Sequence, residues 1–179
     1  IYSNFVFSVK QRLPWLIINL GTAFLASFVV GMFSKTIENV VILSAVMSIV
    51  TGMGGNAGTQ SLSVTIRALA LGEVDRRDTL KIVGKSFLVG AINGGLLGLV
   101  CGSILGIIYG NFFIGLIMFL AMIGNLIVAC TIGFVVPITL KALKVDPAMA
   151  SAVLLTTATD VFGFLIFLSL ATIFLDKLV

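Results

Sequence analysis

Five stretches of this 179-residue chain are each apolar enough and long enough to cross a bilayer: Trp15–Phe33, Val40–Leu71, Ile82–Tyr109, Phe112–Leu140 and Ala148–Leu175. A hydrocarbon core of ~30 Å takes about 20 helical residues. Inside lipid every backbone N–H and C=O has to find its partner within the protein, and a helix meets that demand within a single segment. The expected fold is therefore all-α: a polytopic membrane protein of five transmembrane helices. Composition agrees, since only 11 Lys and Arg and 7 Asp and Glu are present, 10% of the chain. About 25% is ordinary for a soluble protein. That deficit excludes a soluble enzyme, a nucleic-acid-binding module and a disordered tail. The chain is expected at the cell membrane, as a multi-pass integral protein in contact with the lipid bilayer.

Short loops orient the bundle, because basic residues are retained on the cytoplasmic side. Lys10 and Arg12 precede the first run; Arg76, Arg77 and Lys81 join the second to the third; Lys141 and Lys144 join the fourth to the fifth. The intervening connections carry Lys35 alone, and the C-terminus carries Lys177. The N-terminus is thus expected inside and the C-terminus outside. No basic segment leading to a small-residue cleavage site follows Ile1, so no signal peptide is expected. Asp146 before Pro147 reads as an N-cap and first helical position, while Pro137 falls late in the fourth run and is expected to kink it.

Glycines recur every four residues through the third run, at Gly90, Gly94, Gly98, Gly102, Gly106 and Gly110. Such a stripe lets a second helix approach backbone to backbone, and packing within or between protomers is the expected role. Cys101 and Cys130 sit in separate apolar runs without metal-binding spacing and read as packing residues. Histidine is absent. Imidazole metal sites, Ser-His pairs and His proton relays are excluded with it. Asn93 and Asn125 are expected to hydrogen-bond across helices as glue.

Asp160 is the one carboxylate deep inside an apolar run, 13 residues after Pro147 and 15 before Leu175. At 1.5 Å per residue it lies ~20 Å from either end, near the midplane. An ionised Asp there costs about 2.5–3.5 kcal/mol on insertion scales, so it is expected to face a cavity, a cation or a partner. Thr156 and Thr157, four and three residues earlier, put hydroxyl oxygens on the same helical face. Half-way along the second run, Thr51-Gly-Met-Gly-Gly-Asn-Ala-Gly-Thr-Gln-Ser61 packs four glycines into seven residues. Glycine weakens a helix, so exposed backbone oxygen is expected there. Gly52, Gly55, Thr59 and Ser63 share one face, with Asn56 at its margin. The plainer reading, a glycine-assisted helix contact, stays open at this point.

Oxygen ligands without nitrogen or sulfur suit a hard cation, and Mg2+ is commonly held by one or two carboxylates with retained waters. A single Asp160 is thin for a divalent ion. A parallel homodimer with its twofold axis along the membrane normal supplies the second carboxylate without changing the orientation of either chain.

The segment Gly52-Met-Gly-Gly-Asn-Ala-Gly-Thr-Gln-Ser61, followed by Ile66-Arg-Ala-Leu-Ala-Leu-Gly-Glu73, resembles the signature of the MgtE magnesium channels, and Asp146-Pro-Ala through Thr156-Thr-Ala-Thr-Asp160 to Gly163 resembles that family's last helix. The likeness spans essentially the whole chain, 1–179. It implies a homodimeric Mg2+ channel whose pore, on the dimer axis, is lined by the second and fifth helices. Hydrated Mg2+ is then bound at Asp160, with Gly52, Gly55, Thr59, Ser63 and Thr156 beside it. Asp146 matches an acid used for Mg2+-dependent closure. Residues 1–12 match the end of a connecting helix, and the cytoplasmic sensor domains of full-length members have no counterpart in this sequence.

Other readings compete. A Na+- or H+-coupled Mg2+ exchanger would use the same carboxylate, and other divalent cations would fit the same oxygens. A non-conducting membrane scaffold would keep Asp160 as a helix tie. Catalysis is disfavoured: an aspartyl protease needs two aspartates at depth, Ser-Lys chemistry needs a lysine at depth, and every Lys lies near a helix end.

Overall fold

The computed structural model describes residues 5–74 and 79–178, and these are helical throughout apart from short turns. The elements are α1 (Phe5–Met32), α2 (Ser34–Asn39), α3 (Ile42–Leu71), α4 (Thr79–Ile108), α5 (Phe112–Ala142), α6 (Pro147–Ile173) and α7 (Leu175–Leu178). By length and apolarity α1, α4, α5 and Ala150–Ile173 of α6 are four candidate membrane spans. The second expected run forms α3, which is 30 residues long. Its centre is diluted by Gly52, Gly54, Gly55, Asn56, Gly58 and Thr59, and it is not among the four.

Two boundaries differ from those read in the sequence. The first apolar run opens at Trp15, whereas α1 begins at Phe5 and continues through Pro14. Described residues of the expected connector and the first span are therefore one helix; residues 1–4 lie outside the described part, as do Arg76 and Arg77 of the basic turn. The first connection is also helical: α2 tucks Thr36 inward, where its Oγ1 meets Thr172 Oγ1 of α6 at 2.9 Å. Hydropathy could not find it, because α2 is short and polar. The fifth run opens as expected, with Pro147 the first residue of α6. Pro137 lies buried inside α5, which runs on to Ala142.

α5 is the central helix. It is antiparallel to α4 in a tight hairpin and also packs on α3 and α6, while α1 packs on α6. The glycine stripe of α4 makes the hairpin. A Cβ on Gly90, Gly94, Gly98 or Gly102 would meet Leu126 O at 2.6 Å, Ile123 Cα at 2.7 Å, Phe119 O at 2.8 Å and Gly115 O at 2.5 Å respectively. Packing is thus the role of these four, within one protomer. Gly106 is looser, and Gly110 reverses the chain at φ +63°.

α3 crosses α5 in the same backbone-to-backbone manner. A Cβ on Gly133 would lie 2.7 Å from Gly58 O, and Ser61 Oγ donates to Cys130 O at 2.8 Å. α3 ends at Gly72 in the left-handed region, φ +73°, with Glu73 N donating to Ala68 O. Lys141 of α5 reaches over and donates from Nζ to Leu69 O at 2.8 Å. A cation there satisfies an end carbonyl and complements the negative helix terminus.

Candidate functional site

The four central glycines of the α3 motif divide between two faces. Gly54 and Gly58 are buried: a Cβ on Gly54 would collide with the Asn125 carboxamide, and one on Gly58 would meet Leu155 Cδ1 at 2.6 Å. Gly52 and Gly55 have open space where a Cβ would be. Gly54 and Gly58 are thus contact positions, as the plainer reading expects, whereas Gly52 and Gly55 meet no neighbouring helix of this chain among the described residues. The buried positions recur at Val46, Val50, Gly54, Gly58 and Leu62; the exposed ones include Ser48, Gly52, Asn56, Thr59 and Ser63, flanked by exposed Ile49, Gln60 and Val64. Gly55 is half-buried, so Asn56 is central to the exposed face and Gly55 is at its margin.

The expected loosening of this segment does not occur. α3 runs unbroken from Ile42 to Leu71, and none of the motif glycines has positive φ. Packing of Gly54 and Gly58 against α5 and α6 compensates for their poor intrinsic helix propensity, and the carbonyls stay in the helical ladder. Oxygen reaches the exposed face by another route. Thr59 Oγ1 donates to Gly55 O at 2.7 Å and Ser63 Oγ donates to Thr59 O at 2.8 Å. On α6, Thr156 Oγ1 donates to Ala152 O at 2.9 Å and Thr157 Oγ1 to Val153 O at 2.7 Å. A hydroxyl has one proton and two lone pairs. With the proton turned back to its own helix, each of these side chains presents acceptors to its surroundings.

Two packing contacts set the level of Asp160. A Cβ on Gly163 would lie 3.1 Å from Thr51 Cγ2, and Gly58 abuts Leu155. The helices are antiparallel, and interpolation between those contacts brings Asp160 level with Gly54, at the middle of the motif. Thr156 is one turn away, toward the Thr59 and Ser63 end. Asp160 is half-buried and, among the described residues, makes no hydrogen bond or ion pair. No cluster of three or more metal-ligating Cys, Asp or Glu side chains exists among the described residues. Asp146 is exposed at the start of α6, far along the helix from Asp160.

The two intramembrane asparagines diverge. Asn93 is exposed in a cleft of about 430 Å³ between α3, α4 and α5, together with Gln60 and Lys85. Asn125 is fully buried, and its Nδ2 donates to Val50 O at 2.7 Å, tying α5 to α3.

Long apolar helices, held by small-residue contacts and carrying an unpaired midspan carboxylate, define a multi-pass helical membrane protein. The chain belongs to the MgtE family of divalent cation transporters, which residues 47–170 match. It is 34% identical over 168 residues to the magnesium transporter MgtE of Bacillus subtilis, an alignment covering 94% of this chain and 37% of that protein. It is 30% identical over 168 residues to the magnesium transporter MgtE of Enterococcus faecalis, with the same coverage of 94% and 37%. With the magnesium transporter MgtE of Thermus thermophilus it shares 34% over 170 residues, 92% of this chain and 36% of the other. The chain thus spans a little over a third of the length of these relatives.

Proposed function

We propose that this chain forms a Mg2+-selective pore on the axis of a parallel homodimer and passes hydrated Mg2+ across the cell membrane down its gradient. The observation that carries the reading is the outward face of α3. A helix flanked by membrane spans exposes Ser48, Gly52, Asn56, Thr59 and Ser63 on one stripe, level with an unpaired Asp160. Lipid is a poor environment for such a face, whereas a second copy across a twofold axis encloses it in water. On this reading α3 also crosses the membrane, making five spans, with the N-terminus inside and the C-terminus outside.

The chemistry matches the cargo. Waters of a hydrated cation point their hydrogens outward, and the hydroxyls of Thr59, Ser63 and Thr156 offer acceptors to receive them. Two Asp160 carboxylates balance the charge of one Mg2+, which keeps its inner waters because it dehydrates reluctantly. Gly52 and Gly55 leave room for the hydrated ion, and Asn56 adds an amide oxygen. Asp146, at the cytoplasmic end of α6 on this orientation, is the acid through which internal Mg2+ closes the pore.

The test is Mg2+ entry into dye-loaded liposomes containing the purified chain. Wild-type flux persists without a Na+ or H+ gradient, and Asp160→Ala lowers it by at least about tenfold, as expected when both charge-bearing ligands of the site are removed. Undiminished flux through that variant overturns the reading. Flux that requires a counter-gradient replaces the channel by a coupled exchanger.

A further inference from the structure

We infer that Asn125 is a positioning residue for the Asp160 site: its carboxamide, wedged between Gly54 of α3 and Gly163 of α6, fixes the register of the oxygen-bearing face against the carboxylate. The inference rests on the pore reading above and adds a residue that does not itself line the exposed stripe. Asn125 is fully buried on α5. Its Nδ2 bonds to Val50 O at 2.7 Å, the carbonyl that in a helix also accepts from Gly54 N–H. One side of the amide lies where a Gly54 Cβ would be, with Cγ 2.8 Å from that point. Its other side faces Gly163, whose added Cβ would lie 3.0 Å from Nδ2 and 3.2 Å from Cγ. Both neighbouring helices therefore give up a side chain to admit this one group, at the level of Asp160 and one turn beyond it.

Asn125 Oδ1 is buried without a hydrogen-bond partner. The amide is consequently held by one hydrogen bond and by the two glycine notches, so its location follows the α3–α6 spacing and in turn sets it. Replacing the amide releases α3 relative to α6. The acceptors at Asn56 and Thr59 then no longer hold a fixed distance from Asp160.

A residue that merely glues the bundle changes how many molecules fold, and scales the flux of every ion alike. A positioning residue changes the ratio between ions, which is independent of the amount of folded protein. Mg2+ demands a near-ideal arrangement around its hydration shell, whereas Ca2+ accepts irregular geometry. Loss of register therefore penalises Mg2+ more.

The experiment measures Mg2+ and Ca2+ flux in liposomes for the wild-type chain, Asn125→Leu and Gly163→Ala. Leu keeps the branched shape of the amide, is somewhat bulkier and removes its bond; Ala at 163 presses on the amide and on Thr51 Cγ2 without removing either. Both variants are expected to lower the Mg2+:Ca2+ flux ratio by about threefold or more, the scale of one hydrogen bond. A ratio unchanged in the variants that fold overturns the inference, and Gly163→Ala decides it if Asn125→Leu fails to fold. Absence of wild-type Mg2+ flux overturns instead the pore reading on which it stands.

Discussion

The hydroxyl of Thr59 illustrates how a residue's role here depends on where its single proton goes. Donation to Gly55 O at 2.7 Å leaves only lone pairs facing outward. Thr59→Val keeps the shape and removes those lone pairs at an exposed position. Thermal unfolding is expected to shift by less than ~0.5 kcal/mol. Mg2+ flux in liposomes is expected to fall about three- to tenfold, the scale of one hydrogen bond to a charged or polarised partner. Asp160 was legible from sequence because a lone carboxylate in an apolar run has no inexpensive structural explanation. Asn125 was legible only as glue. Its position between Gly54 and Gly163 depends on three helices distant in the chain, and single-helix periodicity carries no record of that.

At the scale of elements, glycine has two uses that give opposite mutational signs. On α4, Gly94 lies against the backbone of α5, and a Cβ would sit 2.7 Å from Ile123 Cα. Gly94→Ala should destabilise the hairpin by about 1–3 kcal/mol, read as earlier thermal unfolding in detergent. On α3, a Cβ at Gly52 meets nothing. Gly52→Ala should leave stability unchanged or raise it by up to ~1 kcal/mol, through better helix propensity, while lowering Mg2+ flux because the new methyl covers the stripe. The regular four-residue spacing on α4 announced its packing role in the sequence. The mixed spacing on α3 did not, because neighbouring glycines serve both faces. Hydropathy located α4, α5 and the body of α6 well. It missed α2, and it opened α1 ten residues late, since polar Lys10, Gln11 and Arg12 belong to the same continuous helix as the apolar segment that follows.

At the scale of the molecule, the proposed pore needs two chains, each supplying half of its site. The core gathers on α5, while Ser48, Gly52, Asn56, Thr59 and Ser63 turn away from it and Asp160 has no hydrogen-bond or ion-pair partner among the described residues. In the proposed dimer a second copy encloses that face, whose hydroxyl and amide acceptors suit water better than lipid. The measurement that tests this most directly uses Thr156→Cys in a chain whose Cys101 and Cys130 are replaced by Ser. The introduced thiol should be joined to its twin by a bifunctional thiol reagent long enough to span a hydrated pore, since a direct disulfide would close it, and a water-soluble thiol reagent should label it more slowly when Mg2+ is present. A thiol at that position that neither cross-links nor reacts with a water-soluble reagent, while a membrane-permeant one labels it, would contradict a shared aqueous pore.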